Sequence, residues 1–302
     1  MTTVAPAQPA VSRLRTYASF VRFEHTLFSL PLIVAGVFSV TGPALAAARW
    51  AWIALAAVGA RTMAMTLNRV IDRHIDARNP RTLIRELPAG KMKLAEAIGL
   101  LVVSTGLYVV ACAALGDWYL QVAIIPLAVF TLYPYLKRFT PWCHAGVGLA
   151  LALAPPAGFA AAHPEFVGST AALLIGVFAL GWVTGFDIIY ATLDEAFDRE
   201  HGVHSMVVWL GRVRALQVSW LLHVVAMVAL AAASYVIATA HGTPDPVWTA
   251  ITGAGFAGTV TLLWLEQNWA EDVNLAFFKT NVYVGFLVLG TVLAARMAAG
   301  GF

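Results

Sequence analysis

The sequence predicts an all-α polytopic membrane protein of about nine transmembrane helices. Two observations carry this prediction. Apolar residues make up 60% of the 302 residues and charged residues 12%, whereas a soluble domain is roughly 45–50% apolar and about 25% charged. Apolar segments long enough to cross a bilayer, about 20 residues each, also recur along the whole chain and leave no room for a separate soluble domain. Two regions are expected. Residues 1–20 form a disordered or interfacial tail opening on the polar "MTTVAPAQPAVS", and residues 21–302 form the transmembrane domain.

The first apolar segment, residues 24–42, has an Arg-bearing start, a short core and "GPALAAA", which imitate a secretory signal and its cleavage site. A retained helix is favoured, because Glu24 and His25 abut the core and cleavage would leave eight spans. The second segment, 49–68, carries Arg61 and runs into "NRVIDRHIDARNPRT"; segments 95–115 and 118–136 follow, and "YPYLKRFT" leads to 143–162. In that fifth segment "ALAPPAGFAAA" signals a kink, since proline removes a helix donor. The sixth, 168–187, runs into "GFDIIYATLDEAFDREHGVHS", and 213–239, 246–265 and 276–298 complete the set. Cys112 and Cys143 lie in different segments without metal-ligand spacing and are read as buried, inert thiols.

Lys and Arg near helix ends stay in the cytoplasm. With the N-terminus inside, that side receives Arg13, Arg15, Arg22, Arg69, Arg73, Arg78, Arg81, Arg85, Lys91, Lys93, Lys137, Arg138, Arg199, Arg212, Arg214 and Lys279, against Arg49 and Arg296 opposite. A multi-pass protein of a bacterial-type inner membrane follows, and a net charge of +3 understates the asymmetry. One basic face suits an anionic substrate, although any inner-membrane protein shows the pattern; Lys91 and Lys93 are read as topology markers only.

Residues four apart share a helix face, rotated by about 40° per step. Asn68, Asp72 and Asp76 therefore form one polar stripe, and Asp187, Tyr190, Asp194 and Asp198 are expected to form a second on one helical face, at the same membrane depth. A wet helix end explains one such stripe. Five carboxylates on two helices repel one another unless something neutralises them, and ionisable residues at this depth are functional by default. Hard oxygen ligands suit Mg²⁺, which completes its shell with water and substrate phosphates, so the pattern predicts a diphosphate substrate. Interleaved Arg73, Arg81, Lys137 and Arg138 are the expected diphosphate ligands. Arg61 lies seven residues before Asn68, on nearly the same face. A cation there costs about 2.5–3.5 kcal/mol on insertion scales, so it either snorkels, pairs with an acid or holds a substrate carboxylate.

These residues resemble the UbiA superfamily of intramembrane prenyltransferases, in its 4-hydroxybenzoate polyprenyltransferase-like branch. The resemblance rests on Asn68, Asp72 and Asp76 followed by "RTLIRELPAG", on Asp187, Tyr190, Asp194 and Asp198 in the family's order, and on "YPYLKRFT". It implies a helical bundle around a central cavity, two Mg²⁺ ions, a bound prenyl diphosphate with its tail between helices open to membrane lipid, and an active site on the cytoplasmic side. It also implies an aromatic acid acceptor anchored by Arg61: 4-hydroxybenzoate in quinone biosynthesis or 1,4-dihydroxy-6-naphthoate in the futalosine route to menaquinone. One departure is His204 in "GVHS", where many hydroxybenzoate enzymes carry a stronger base; an unperturbed His is mostly neutral at pH 7.

The expected roles follow. Asp72, Asp76, Asp194 and Asp198 hold metal with Asn68 assisting, and Asp187 with Tyr190 orients the acceptor hydroxyl or takes its proton. No nucleic acid and no obligate protein partner is inferred. Two rivals stay open: a cation transporter, whose charges belong at the bilayer midplane, and a related prenyltransferase acting on haem, homogentisate or a lipid.

Overall fold

The computed structural model describes residues 13–22, 26–42, 44–268 and 275–301, with side chains from Ser29 onward in the second stretch and from Thr280 onward in the last. Glu24, His25, Lys279 and the polar start, on which parts of the sequence reading fell, lie outside the described residues or side chains. All regular structure among the described residues is helical.

Helix α1 (Arg13–Phe20) seats Phe20 against Met92 and Ala97, and α2 (Thr26–Val37) packs Leu32 and Ala35 into the bundle. Helix α3 (Ala47–Asp76) has 30 residues. At 1.5 Å per residue it is about 45 Å long, more than a hydrocarbon core of about 30 Å, so its last turns carry the acidic stripe beyond the apolar segment. Helix α4 (Leu94–Leu115) returns antiparallel against α3. The fourth span is broken into α5 (Asp117–Val122) and α6 (Ile124–Leu136), a break the sequence reading did not foresee. Pro126 lacks the N–H that would reach back to Val122, so the ladder lapses there. The fifth span divides at the expected kink into α7 (Cys143–Ala152) and α8 (Ala154–Ala162), immediately before Pro155 and Pro156.

Helix α9 (Thr170–Ala191) is the most enclosed span, with 67% of its apolar window buried. It packs against α7 on one side and against α12 (Arg212–Ala238) on another. Short α10 (Glu195–His201) and α11 (Met206–Leu210) connect α9 to α12; α13 (Pro246–Asn268) and α14 (Leu275–Ala298) close the bundle, α14 lying against α2 and α12. Eight helices or helix pairs among the described residues are long and apolar enough to cross a membrane, and α2 adds a ninth, shorter apolar helix. The chain is a multi-pass membrane protein.

Lipid tails give apolar helix faces no reason to prefer each other, so association rests on close packing. Gly148 lets α7 lie against α9: a Cβ there would sit 2.2 Å from Thr184 Oγ1 and 2.8 Å from the Leu180 carbonyl oxygen. Gly36 does the same for α2 against α8, where a Cβ would meet the Pro155 carbonyl oxygen at 2.0 Å. These contacts set the depth at which α7 and α9 present their polar ends.

Candidate active site

The last three turns of α3 place Asn68, Asp72 and Asp76 on one face, as the spacing predicts. Asp72 is 1% exposed. Its Oδ2 accepts from Lys137 Nζ at 2.7 Å and Asn68 Nδ2 at 3.2 Å, and its Oδ1 accepts from Arg138 Nη1 at 3.1 Å. Burial opposes the charge on Lys137, but the Asp72 carboxylate outweighs it and holds the ammonium above the usual lysine range. Arg138 is oriented further by the carbonyls of Pro134 and Ile71. A cavity of about 210 Å³ lies against Lys137 and Arg138 and is lined also by Arg78 and His201, which suits an anion.

Asp76 is gripped by Arg85 Nη1, which donates to both carboxylate oxygens at 2.7 and 2.8 Å. The loop after α3 folds back on the helix end through Thr82 Oγ1, which donates to the Asp76 carbonyl. That turn aims Asn79 and Arg81 across to the second motif. Asn79 Nδ2 donates to Asp194 Oδ1 at 2.9 Å, and Arg81 forks onto Asp194 through Nε at 2.8 Å and through Nη2. Burial pushes the Asp194 carboxyl up, yet Arg81 and Asn79 hold it below the ordinary carboxylate value.

The second stripe is not on one helix, contrary to the spacing argument. Helix α9 ends at Ala191, where the N–H groups of Thr192, Leu193 and Asp194 bond three residues back to Ile189, Tyr190 and Ala191. Thr192 Oγ1 donates to the Ile189 carbonyl at 2.7 Å, competing for the acceptor that a continuing helix needs. Asp194 becomes the residue before α10, and Asp198 sits within α10, 8% exposed. Burial, then the neighbouring Asp194, pushes the Asp198 carboxyl up to about 6. No Lys or Arg among the described residues pairs with it.

Asp187 lies one turn inside the end of α9, and its Oδ2 is 2.7 Å from His144 Nδ1 at the start of α7. Tyr190, half-buried, meets Phe186 edge-on at 6.2 Å between ring centroids. Arg61 is half-buried on the stripe face of α3, two turns deeper than Asn68. Arg73 turns onto its own helix, donating to the Val70 carbonyl at 2.7 Å, and is not drawn to the carboxylates. Arg69, placed by sequence among the cytoplasmic-side cations, is only 4% exposed.

The donors fit a magnesium ion in kind: four carboxylates and one amide, all hard oxygens. Asp198, buried beside a second carboxylate and paired with no Lys or Arg among the described residues, is the carboxylate best placed to take one. Among the described residues no three His, Cys, Asp or Glu side chains converge, and Lys137, Arg138, Arg85 and Arg81 are paired with Asp72, Asp76 and Asp194.

The model of the UbiA prenyltransferase family matches residues 29–298. The chain belongs to this family. Membership sets the transporter alternative aside and makes this UbiA protein a prenyltransferase. It is 30% identical over 250 residues to a 4-hydroxybenzoate octaprenyltransferase of Polaromonas sp. (strain JS666 / ATCC BAA-500), covering 79% of this chain and 81% of that one. A 4-hydroxybenzoate octaprenyltransferase of Vibrio parahaemolyticus serotype O3:K6 is 25% identical over 292 residues, covering 95% and 99%. Among solved structures, an apo UbiA homolog from Aeropyrum pernix K1 superposes with a TM-score of 0.78 at 31% identity, over 88% of this chain and 95% of that one. A UbiA homolog from Archaeoglobus fulgidus bound to GPP and Mg²⁺ has a TM-score of 0.70 at 18% identity, covering 93% and 99%, and shows the shared fold.

The sequence reading did not single out Asn79 or His144, which bond to carboxylates of the second motif. Asn79 carried no signal beyond its place in a turn. His144 did carry one, as an ionisable residue at the start of an apolar span, but its partner lies 43 residues away.

Proposed function

We propose that the chain moves a polyprenyl group from a prenyl diphosphate to a ring carbon of a hydroxylated aromatic acid. 4-Hydroxybenzoate is the first candidate acceptor and 1,4-dihydroxy-6-naphthoate the second. The observation that carries this reading is the bridge from Asn79 and Arg81 to Asp194, which joins the two acidic motifs at one mouth. Arg61 and Asp187 lie deeper along the same two helices. The names of the Polaromonas and Vibrio relatives support the hydroxybenzoate acceptor.

Two Mg²⁺ ions would be held by Asp72, Asp76, Asp194 and Asp198 with Asn68, where they would supply electrostatic withdrawal of charge from the leaving diphosphate. Lys137, Arg138, Arg81 and Arg73 bind the phosphate oxygens, exchanging their present carbonyl or carboxylate partners for the substrate. The C1–O bond of the prenyl diphosphate breaks and its electron pair leaves on the diphosphate. A ring carbon next to the phenol hydroxyl supplies the pair that bonds C1, and the proton on that carbon passes to the released diphosphate or to the Asp187 carboxylate, its C–H pair restoring aromaticity. Arg61 anchors the acceptor carboxylate, and Asp187, with Tyr190 near it, accepts a hydrogen bond from the acceptor hydroxyl, raising the electron density of the ring. The apolar tail lies between helices toward membrane lipid. The clustering of Lys and Arg supports a mouth on the cytoplasmic face of an inner membrane.

The test is incubation of the purified protein in detergent with a prenyl diphosphate, Mg²⁺ and each acceptor separately, with mass spectrometry of the products and Asp72→Ala as control. Product from one acceptor, lost in the control, is expected. No product from either aromatic acid would turn attention to haem, homogentisate or lipid acceptors.

A further inference from the structure

His144 is almost wholly enclosed, with its side chain 5% exposed, and both ring nitrogens are engaged. The backbone N–H of Met206 donates to Nε2 at 3.2 Å, so Nε2 carries a lone pair. The neutral ring must then bear its hydrogen on Nδ1, which donates to Asp187 Oδ2 at 2.7 Å. Met206 is the first residue of α11, and its N–H is one of the helix-start donors with no partner inside the helix. Ser205 Oγ serves the Val208 N–H of the same turn. The ring thus stands where a capping acceptor or a water would otherwise be, and it cannot take up a proton on Nε2 without breaking the Met206 bond.

The same connector reaches the other motif. Cys143 Sγ lies 3.3 Å from the His204 carbonyl, the His204 N–H donates to the Lys137 carbonyl at 2.8 Å, and Lys137 Nζ holds Asp72. One stretch, residues 137–144, therefore binds the first acidic motif at one end and Asp187 at the other. Asp187 itself is 31% exposed, and within the described residues only its Oδ2 is bonded.

We propose that His144 is a positioning residue for the acceptor: by fixing Oδ2 of Asp187 through Nδ1–H, it aims the remaining oxygen, Oδ1, at the hydroxyl of a phenolic acceptor. This rests on the function proposed above. His144 is not the base in this scheme; it keeps one rotamer of Asp187 occupied, so the acceptor meets a preorganised hydrogen-bond acceptor rather than a swinging carboxylate.

The experiment compares His144→Leu, which removes both bonds, with His144→Asn, whose Nδ2 stands where Nδ1 does and can still donate to Asp187. Each is made in the wild-type and the Asp187→Asn background, and kcat and KM are read for each substrate. His144→Leu is expected to lower kcat by roughly 10- to 100-fold, with little change in KM for the prenyl diphosphate. His144→Asn should recover most of that loss, and His144→Leu should cost nothing further once Asp187 is already Asn. A purely structural role predicts otherwise: equal losses in Leu and Asn variants, or losses that multiply with Asp187→Asn, and either result overturns the proposal. ¹⁵N NMR of labelled histidine in micelles tests the same contact without turnover. It should find one ring protonated at Nδ1 whose signal moves in Asp187→Asn, and a ring protonated at Nε2 would reject the assignment. Wild-type protein that prenylates neither aromatic acid would refute the function proposed above, while the NMR result still decides the histidine.

Discussion

Arg81 clasps Asp194 across 113 residues of sequence, through Nε at 2.8 Å and Nη2 on the other oxygen. This fork, with Asn79 beside it, is the direct polar link between the loop after α3 and the start of α10. The two acidic motifs are thus joined by residues that belong to neither stripe.

Arg81→Ala should therefore lower kcat/KM for the prenyl diphosphate by roughly 10- to 100-fold. Its effect on melting temperature should be small, because the Arg81 side chain is 40% exposed and solvent screens the pair. Arg81→Lys should recover little, since an ammonium cannot fork onto a carboxylate or a phosphate. Steady-state kinetics alongside thermal melts check both statements.

Magnesium dependence should carry a pH signature. The Asp198 carboxyl, pushed up to about 6, must lose its proton before it can hold a metal. The magnesium concentration needed for half-maximal binding should rise about tenfold per pH unit below 6, and excess EDTA should abolish turnover at any pH. Titration of Mg²⁺ against a thermal-shift signal between pH 5 and 7.5 measures this.

The metal-free protein should show the linked effect on stability. Asp198 has a raised folded value, so its contribution is complete below about pH 4 and is lost as pH rises through 6. Asp194 has a lowered folded value, so its contribution is present above the unfolded value of about 4 and disappears as pH falls through the folded one. A melt series in the absence and presence of Mg²⁺ should find magnesium most stabilising above pH 6.

Arg61→Ala should raise KM for an aromatic acid severalfold or more while leaving KM for the prenyl diphosphate nearly unchanged. An acceptor lacking the carboxylate should lose its disadvantage in the variant. Unchanged acceptor KM would favour a non-carboxylate acceptor.

Gly148→Val should act at a distance. Its Cβ would fall 2.2 Å from Thr184 Oγ1, forcing α7 away from α9 and drawing His144 from Asp187. A stability loss of about 1–3 kcal/mol is expected, and kcat should fall further than stability alone explains. Comparing activity well below the melting temperature with the melt itself separates the two.

The amino-acid sequence by itself determined the class of protein, the boundaries of most later spans to within a few residues though not the ends of α2 and α3, the kink before Pro155, and the face shared by Asn68, Asp72 and Asp76. Those properties are local: segment length against bilayer thickness, a missing proline donor, and 3.6 residues per turn. The same rule misled at Thr192, because whether a helix continues depends on competition for the Ile189 carbonyl, which spacing does not record. Only the tertiary structure decided that Arg81 and Asn79 reach Asp194, that Arg73 turns back onto Val70, and that His144 meets Asp187. The partners of Asp194 and Asp187 are brought within 3 Å by the depth and rotation at which packed helices settle, a setting that rests on contacts such as Gly148 on Thr184, while Arg73 makes a local choice within α3 that spacing does not record. Spacing along one helix tells which residues face the same way; what they face is set by the rest of the bundle.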